Sequence, residues 1–169
     1  MRKIIHAACV LALFAAAARA ETIDRVLAVV SGQLITLSDV TAARDLGLQN
    51  GDGAADPVRA ILTKLIEREL VLAEVDRYAP QEPTAEAVDL EVQHVRSRFA
   101  SAAALDAALA RSGIDERHLR ETLRQDLRVA AYMTQRFTAS EDRRQAAIAE
   151  WMSGLRRRAD VIDLYRGDR

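Results

Sequence analysis

The stretch Arg25–Leu37, RVLAVVSGQLITL, constrains the fold more than any other part of the chain. Arg25–Val30 and Leu34–Leu37 are apolar, strand-forming runs on either side of Ser31-Gly32-Gln33, where Gly32 supplies a tight turn. A short β-hairpin is expected. It runs directly into a helix, for which Ser38 is a good N-cap with Asp39 in the first turn. That helix should extend to about Leu46, where Gly47 can stop it. Almost everything that follows reads at helical period, until a short apolar run near the end.

Gln49–Asp56 carries Gly51 and Gly53 and reads as a flexible loop. Asp56-Pro57 restarts the helical pattern, a capping carboxylate followed by proline in the first helical position. The second helix should run from Pro57 to about Tyr78, with Ile61, Leu62, Leu65 and Leu72 on one face, widened by Val58 and Ile66. Glu69 falls inside that face and calls for a basic neighbour or a chain that reaches out to water. Pro80 and Pro83 bound the next connection. Thr84 caps a third helix with the stripe Val88, Val92, Val95 and Phe99, and Leu90 lies on its opposite side.

Ser101 starts a short helix with Leu105 and Leu109, closed by Gly113. Asp115 caps a long one with Leu119, Leu123, Leu127, Ala130 and Phe137 on one face. Thr138-Ala139-Ser140 is a minimal joint before a sixth helix carrying Ile148, Trp151, Met152 and Leu155. Val161, Ile162, Leu164 and Tyr165 read as a final strand. No repeat of fixed period follows Ala20.

The start of the chain sets the compartment. Arg2 and Lys3 precede an apolar run, Ile4–Ala18, and Ala18-Arg19-Ala20 is an A-x-A cleavage site. This is the pattern of a secretory signal peptide, too short for a membrane span, with cleavage after Ala20 and a periplasmic destination. The chain's one cysteine, Cys9, lies inside it. Disulfides and thiol chemistry are therefore excluded from the mature chain, which must be held by its core. Removing Arg2, Lys3 and Arg19 from the 24 basic residues leaves 21 against 25 acidic ones, a net charge of about −4. That balance, with aromatics at 4%, argues against nucleic acid as a partner. Arg156-Arg157-Arg158 reads as a solvated helix end, favourable beside the C-terminal dipole.

A search for chemistry finds little. His94 and His118 stand on different helices among charged residues, with no partner at metal-ligand spacing, and each reads as a solvated histidine. There is no G-x-S-x-G, P-loop or G-x-G-x-x-G. The carboxylates are spread along helices as partners of arginine, as with Glu121 beside Arg117, Arg124 and Arg128. No catalytic residue, metal or cofactor is expected.

The order of elements resembles the N-terminal chaperone domain of the SurA-type periplasmic foldases. RVLAVVSGQLITLSDV matches an apolar strand, tight turn, second strand and Ser-Asp helix start. LTKLIERELVLAEVDRYA resembles the family's long helix. LARSGIDERHLRETLRQDLRVAAYM resembles its short helix ending at Gly and the long helix after it. AEWMSGLRRRADVIDLY resembles the Trp-bearing helix and strand that close those proteins. The resemblance covers almost all of Glu21–Tyr165. One departure is decisive: the family usually places one or more parvulin-type prolyl isomerase domains between the long and closing helices. Such a domain needs on the order of a hundred residues, and here Thr138–Ser140 stands alone. Isomerase activity is not carried over.

The expected fold is mainly α (α+β): about six helices, with a small sheet formed by an N-terminal hairpin and the C-terminal strand. Residues 21–169 are expected to form one domain, closed by the helix and strand at about 140–165. The resemblance implies an ATP-independent chaperone that binds unfolded exported or outer-membrane proteins through an apolar groove, with no stable membrane insertion. A holdase needs accessible apolar surface, and the off-stripe residues Leu46, Leu48, Leu90, Tyr132 and Met133 are the candidates. For each, the competing reading is packing against a neighbouring helix. The alternative function is a non-catalytic adaptor or structural subunit, its apolar surface covered by a fixed partner or a homodimer mate.

Overall fold

A two-residue turn sets the register of the sheet. Ser31 and Gly32 have φ of 50° and 86°, both left-handed, as a type I′ hairpin turn requires. The turn closes β1 (Val26–Val30) antiparallel onto β2 (Gln33–Thr36), with Val30 opposite Gln33 and Val29 opposite Leu34. The register slips between Val26 and Ala28, which makes Leu27 a bulge. Alternation breaks there, and Leu27 and Ala28 are both buried. The computed structural model describes residues 24–51 and 53–167, so the segment read as a signal peptide lies outside the described residues.

A lone hairpin is marginal in water and needs further strands or helices to cover it. Here β3 (Val161–Asp163) pairs antiparallel with β1, giving the order β2-β1-β3 with Ile162 opposite Val29. Ser31 N–H to the Asp160 carbonyl and Leu164 N–H to the Leu27 carbonyl, each 2.9 Å, extend this ladder at both ends. The expected sheet from opposite ends of the chain is present. Its third strand is shorter than the sequence suggests, because Tyr165 leaves the ladder and packs against the core.

Six helices follow the hairpin: α1 (Leu37–Asp45), α2 (Pro57–Tyr78), α3 (Ala85–Arg96), α4 (Ala102–Arg111), α5 (Glu116–Arg136) and α6 (Glu141–Arg158). Asp56, Thr84, Ser101 and Asp115 cap α2 to α5 as expected, each accepting from the N–H three residues on. The first helix corrects the sequence reading. Its N-cap is Thr36, not Ser38. Thr36 Oγ1 accepts from the Asp39 N–H at 3.3 Å and the Asp39 carboxylate accepts from the Thr36 N–H at 2.8 Å, a reciprocal capping box. Pairing with β1 ends at Thr36, so the chain turns there. Ser38 lies in the first turn, and its hydroxyl donates to Asp24.

Three apolar clusters hold the fold. The first joins the inner sheet face (Ala28, Val30 and Ile35) to Val40 of α1, Ile61 and Leu62 of α2, and Leu155 of α6. The second joins Leu46 to Val92 and Val95 of α3, Leu105 and Leu109 of α4, and Leu119 of α5. The third packs Val71 and Val75 of α2 on Tyr132 of α5, with Trp151 and Met152 of α6 beside them. Fully burying a leucine such as Leu27, Leu62 or Leu119 contributes about 1.5–3 kcal/mol. The α5 stripe is less complete than its sequence suggests: Ala130 is exposed and Leu127 half-buried.

Arginines tie the helices across these clusters. Arg98 Nη1, just after α3, donates to the Gly47 carbonyl at 2.7 Å and the Leu46 carbonyl at 3.2 Å, closing the C-terminus of α1. Arg128 on α5 is buried, pairs with Asp76 of α2 at 2.8 Å, and lies 3.0 Å from the Glu82 carboxylate. Arg124 holds the same Glu82 at 2.6 Å, so the α2–α3 connection is pinned from α5. Arg156, Arg157 and Arg158 are all exposed at the end of α6, and Arg156 pairs with Glu67.

Candidate binding cleft

A cleft of about 700 Å³ opens beside β2, bounded by the hairpin, α1, α2 and α5. Its apolar walls come from Leu34, Leu48, Leu65, Leu72 and Ile114. Leu34 is 60% exposed, a consequence of strand alternation: Ile35 beside it points into the core at 3%. Leu65 and Leu72 stand two turns apart on α2, which brings both to the same side of that helix.

The backbone of β2 is also open to the cleft side. The two-residue turn makes Val30 and Gln33 the hydrogen-bonded pair, so Val29 and Leu34 form a non-hydrogen-bonded one. The N–H and C=O of Leu34 therefore point away from β1, toward the unpaired edge of the sheet. The next edge donor, the Thr36 N–H, is already taken by the Asp39 carboxylate. The free edge is short.

The polar part of the cleft centres on Arg68. Its Nε donates to Asp126 at 2.5 Å, its Nη1 to Glu69 at 2.8 Å and its Nη2 to the Thr122 carbonyl at 3.2 Å. The side chains of Arg68 and Glu69 are only 17% and 21% exposed. Burial pushes the Glu69 carboxyl above its ordinary range; Arg68 opposes the shift, while Asp39 and Asp126 add to it. The basic partner expected for Glu69 is thus its own neighbour in sequence. Arg68 is the one Lys or Arg among the described residues that line the cleft, and it stands among Asp39, Glu69 and Asp126.

Of the residues expected to meet a client, only Leu46 and Leu48 border this cleft. Leu46 is 1% exposed and Tyr132 6%, so for these two the competing reading, packing against neighbouring helices, holds and neither is accessible apolar surface. Leu46 lies off the stripe of its own helix, but α3, α4 and α5 pack over it. Tyr132 is enclosed by Val71 and Val75, with the Trp151 ring 6.0 Å away. Met133 is half-buried against the same cluster. Leu90 is 56% exposed on α3 and belongs to no apolar cluster. Leu34, Leu65, Leu72 and Ile114 were not singled out as binding residues. For Leu34 a signal was present, since period two places it opposite Ile35.

The cleft offers apolar walls, a partly buried ion-pair network and, at Leu34, an unpaired backbone donor and acceptor. His118 borders the cleft and is exposed, as is His94 elsewhere, where it lies 3.4 Å from Glu91. Among the described residues, no group of three or more His, Cys, Asp or Glu is placed to hold a metal ion. Among them, too, no helix is long and apolar enough to cross a membrane. No protein-family model matches the chain, and no curated protein matches it.

Proposed function

We propose that this chain is an ATP-independent periplasmic chaperone of the SurA type, non-catalytic, which binds unfolded exported or outer-membrane proteins through the cleft beside β2. The observation that carries the reading is the cleft itself: about 700 Å³, walled by leucines, with the unpaired backbone of Leu34 along one side. Pockets of this size accommodate a few side chains, and an open strand edge accepts any main chain whatever its sequence. Loose selectivity of that kind suits a holdase. The family resemblance in element order supports the same reading, and so does the leader read at Arg2–Ala20. Only residues 137–140 separate α5 from α6, so the place where the family carries its isomerase holds a four-residue connection.

The test uses residues 21–169 in a light-scattering assay with a denatured outer-membrane protein and no nucleotide. Suppression of aggregation at near-stoichiometric ratios is the expected result. Aggregation at the rate seen with an inert protein would overturn the proposal. A proline-isomerisation rate above background would overturn its non-catalytic part.

One observation favours the second reading, a non-catalytic adaptor or homodimer. Leu34, Val29 and Ile162 form a cross-strand row on the outer face of the sheet. Leu34, Ile162 and Leu164 are each about half exposed or more. A fixed partner or a second copy would cover such a face. Elution as a stable complex or dimer, together with no effect on aggregation, would select this reading over the first.

A further inference from the structure

We propose that the preferred occupant of the cleft is an extended polypeptide segment that carries a lysine or arginine beside an apolar side chain. The inference rests on the cleft reading above and names the chemistry of its client. Three carboxylates, Asp39, Glu69 and Asp126, line the cleft with a single guanidinium, Arg68. Asp76 and Glu121 also line it, but each has its own arginine outside, Arg128 and Arg124. The Asp39 carboxylate caps α1, so Glu69 and Asp126 share the one guanidinium and the Arg68 group is short of positive charge. Burial is the main cause that raises the Glu69 pKa, and both aspartates add to it by disfavouring the ionised form.

A cation brought in by a client would complete the set in a place where water is partly excluded, so the pairing is screened less than on an open surface. The walls limit the choice of cation. Leu34, Leu65 and Leu72 stand as apolar wall beside the carboxylates, and the methylene stem of lysine or arginine packs along them, a contact that a small hydrated ion does not make. The Leu34 N–H and C=O supply the main-chain pairing that makes the occupant a polypeptide.

The test is fluorescence anisotropy with three labelled peptides of equal apolar content, bearing lysine, glutamine or glutamate at one central position. The lysine peptide is expected to bind about tenfold tighter than the glutamate peptide, with glutamine between. Raised salt and the Glu69→Gln variant should each remove most of that preference while apolar binding persists. Equal affinities for all three peptides, with aggregation still suppressed, would overturn this inference and leave the chaperone reading standing. Binding of none of them would overturn it too, and the aggregation assay then shows whether the chaperone reading falls with it. A lysine preference undiminished in Glu69→Gln would assign it to the negative surface at large and overturn the cleft as its source.

Discussion

Arg59 clasps Tyr165. Its guanidinium lies 4.6 Å from the centre of the Tyr165 ring, and Nη2 donates to the Tyr165 carbonyl at 2.8 Å. The Tyr165 hydroxyl in turn donates to the Asp56 carboxylate at 3.0 Å, the same group that caps α2. The C-terminal segment is thereby bound to the first turn of the longest helix as well as to β1.

Truncation after Asp160 should consequently destabilise the whole domain. It removes β3 from the central strand, uncovers β1 and strips α2 of the Tyr165 contacts. The expected loss is on the order of 3–5 kcal/mol, read from urea unfolding followed by circular dichroism. Tyr165→Phe, which keeps the ring and loses only the hydroxyl, should cost about 1 kcal/mol. A truncated chain that unfolds at the full-length midpoint would show that the clasp contributes nothing.

The helix starts were legible because each is decided by chemistry within four residues. Asp56-Pro57, Thr84, Ser101 and Asp115 act on their own first turns, and all four cap as the sequence suggests. Thr36 and Ser38 compete two residues apart, and the winner depends on where β1 stops pairing, a tertiary fact. That Leu46 and Tyr132 pack inward rather than stand open is a tertiary fact of the same kind. Helical period gives the face a helix turns to one neighbour, but three helices close over Leu46. The cleft draws its walls from residues as far apart as Leu34 and Ile114, with no local signature to announce it.

The hairpin turn offers a test of backbone conformation alone. A Cβ built on Gly32 meets nothing within 4 Å, so any cost of Gly32→Ala comes from its φ of 86°. That cost should be about 1 kcal/mol. Ser31 already bears a side chain at φ 50°, where asparagine is better tolerated. Ser31→Asn should stabilise by about 0.5 kcal/mol. Thermal melts of the two variants should move in opposite directions, and a shared direction would contradict the type I′ assignment.

Leu46 and Leu90 separate packing from exposure. Leu46→Ala should cost about 2–5 kcal/mol, because it opens a cavity among α3, α4 and α5. Leu90→Ala should stay within about 0.5 kcal/mol of the parent. Chemical denaturation of the pair measures both. Similar midpoints for the two variants would mean that α1 does not end beneath those helices.

Glu69 should make the domain less stable as pH rises, the reverse of the usual behaviour of a carboxylate. Its folded pKa is raised, chiefly by burial, so between the unfolded value and the folded one the native state holds more protons than the unfolded chain. Stability from this group is fully present below the unfolded value and is lost as pH climbs through the folded one. Glu121 has the opposite sign: hydrogen bonds from Arg124 and Gln125 hold its pKa below the ordinary value, so its contribution fades as pH falls. Glu69→Gln removes the first effect without stranding Arg68, which keeps Asp126 at 2.5 Å and the Thr122 carbonyl at 3.2 Å. The variant should therefore be at least as stable as the parent at neutral pH and lose that decline just above the usual carboxylate range. Urea midpoints across mildly acidic to neutral pH give the comparison. A variant clearly weaker at neutral pH, with the decline intact, would mean that the Arg68 pair outweighs the burial of Glu69.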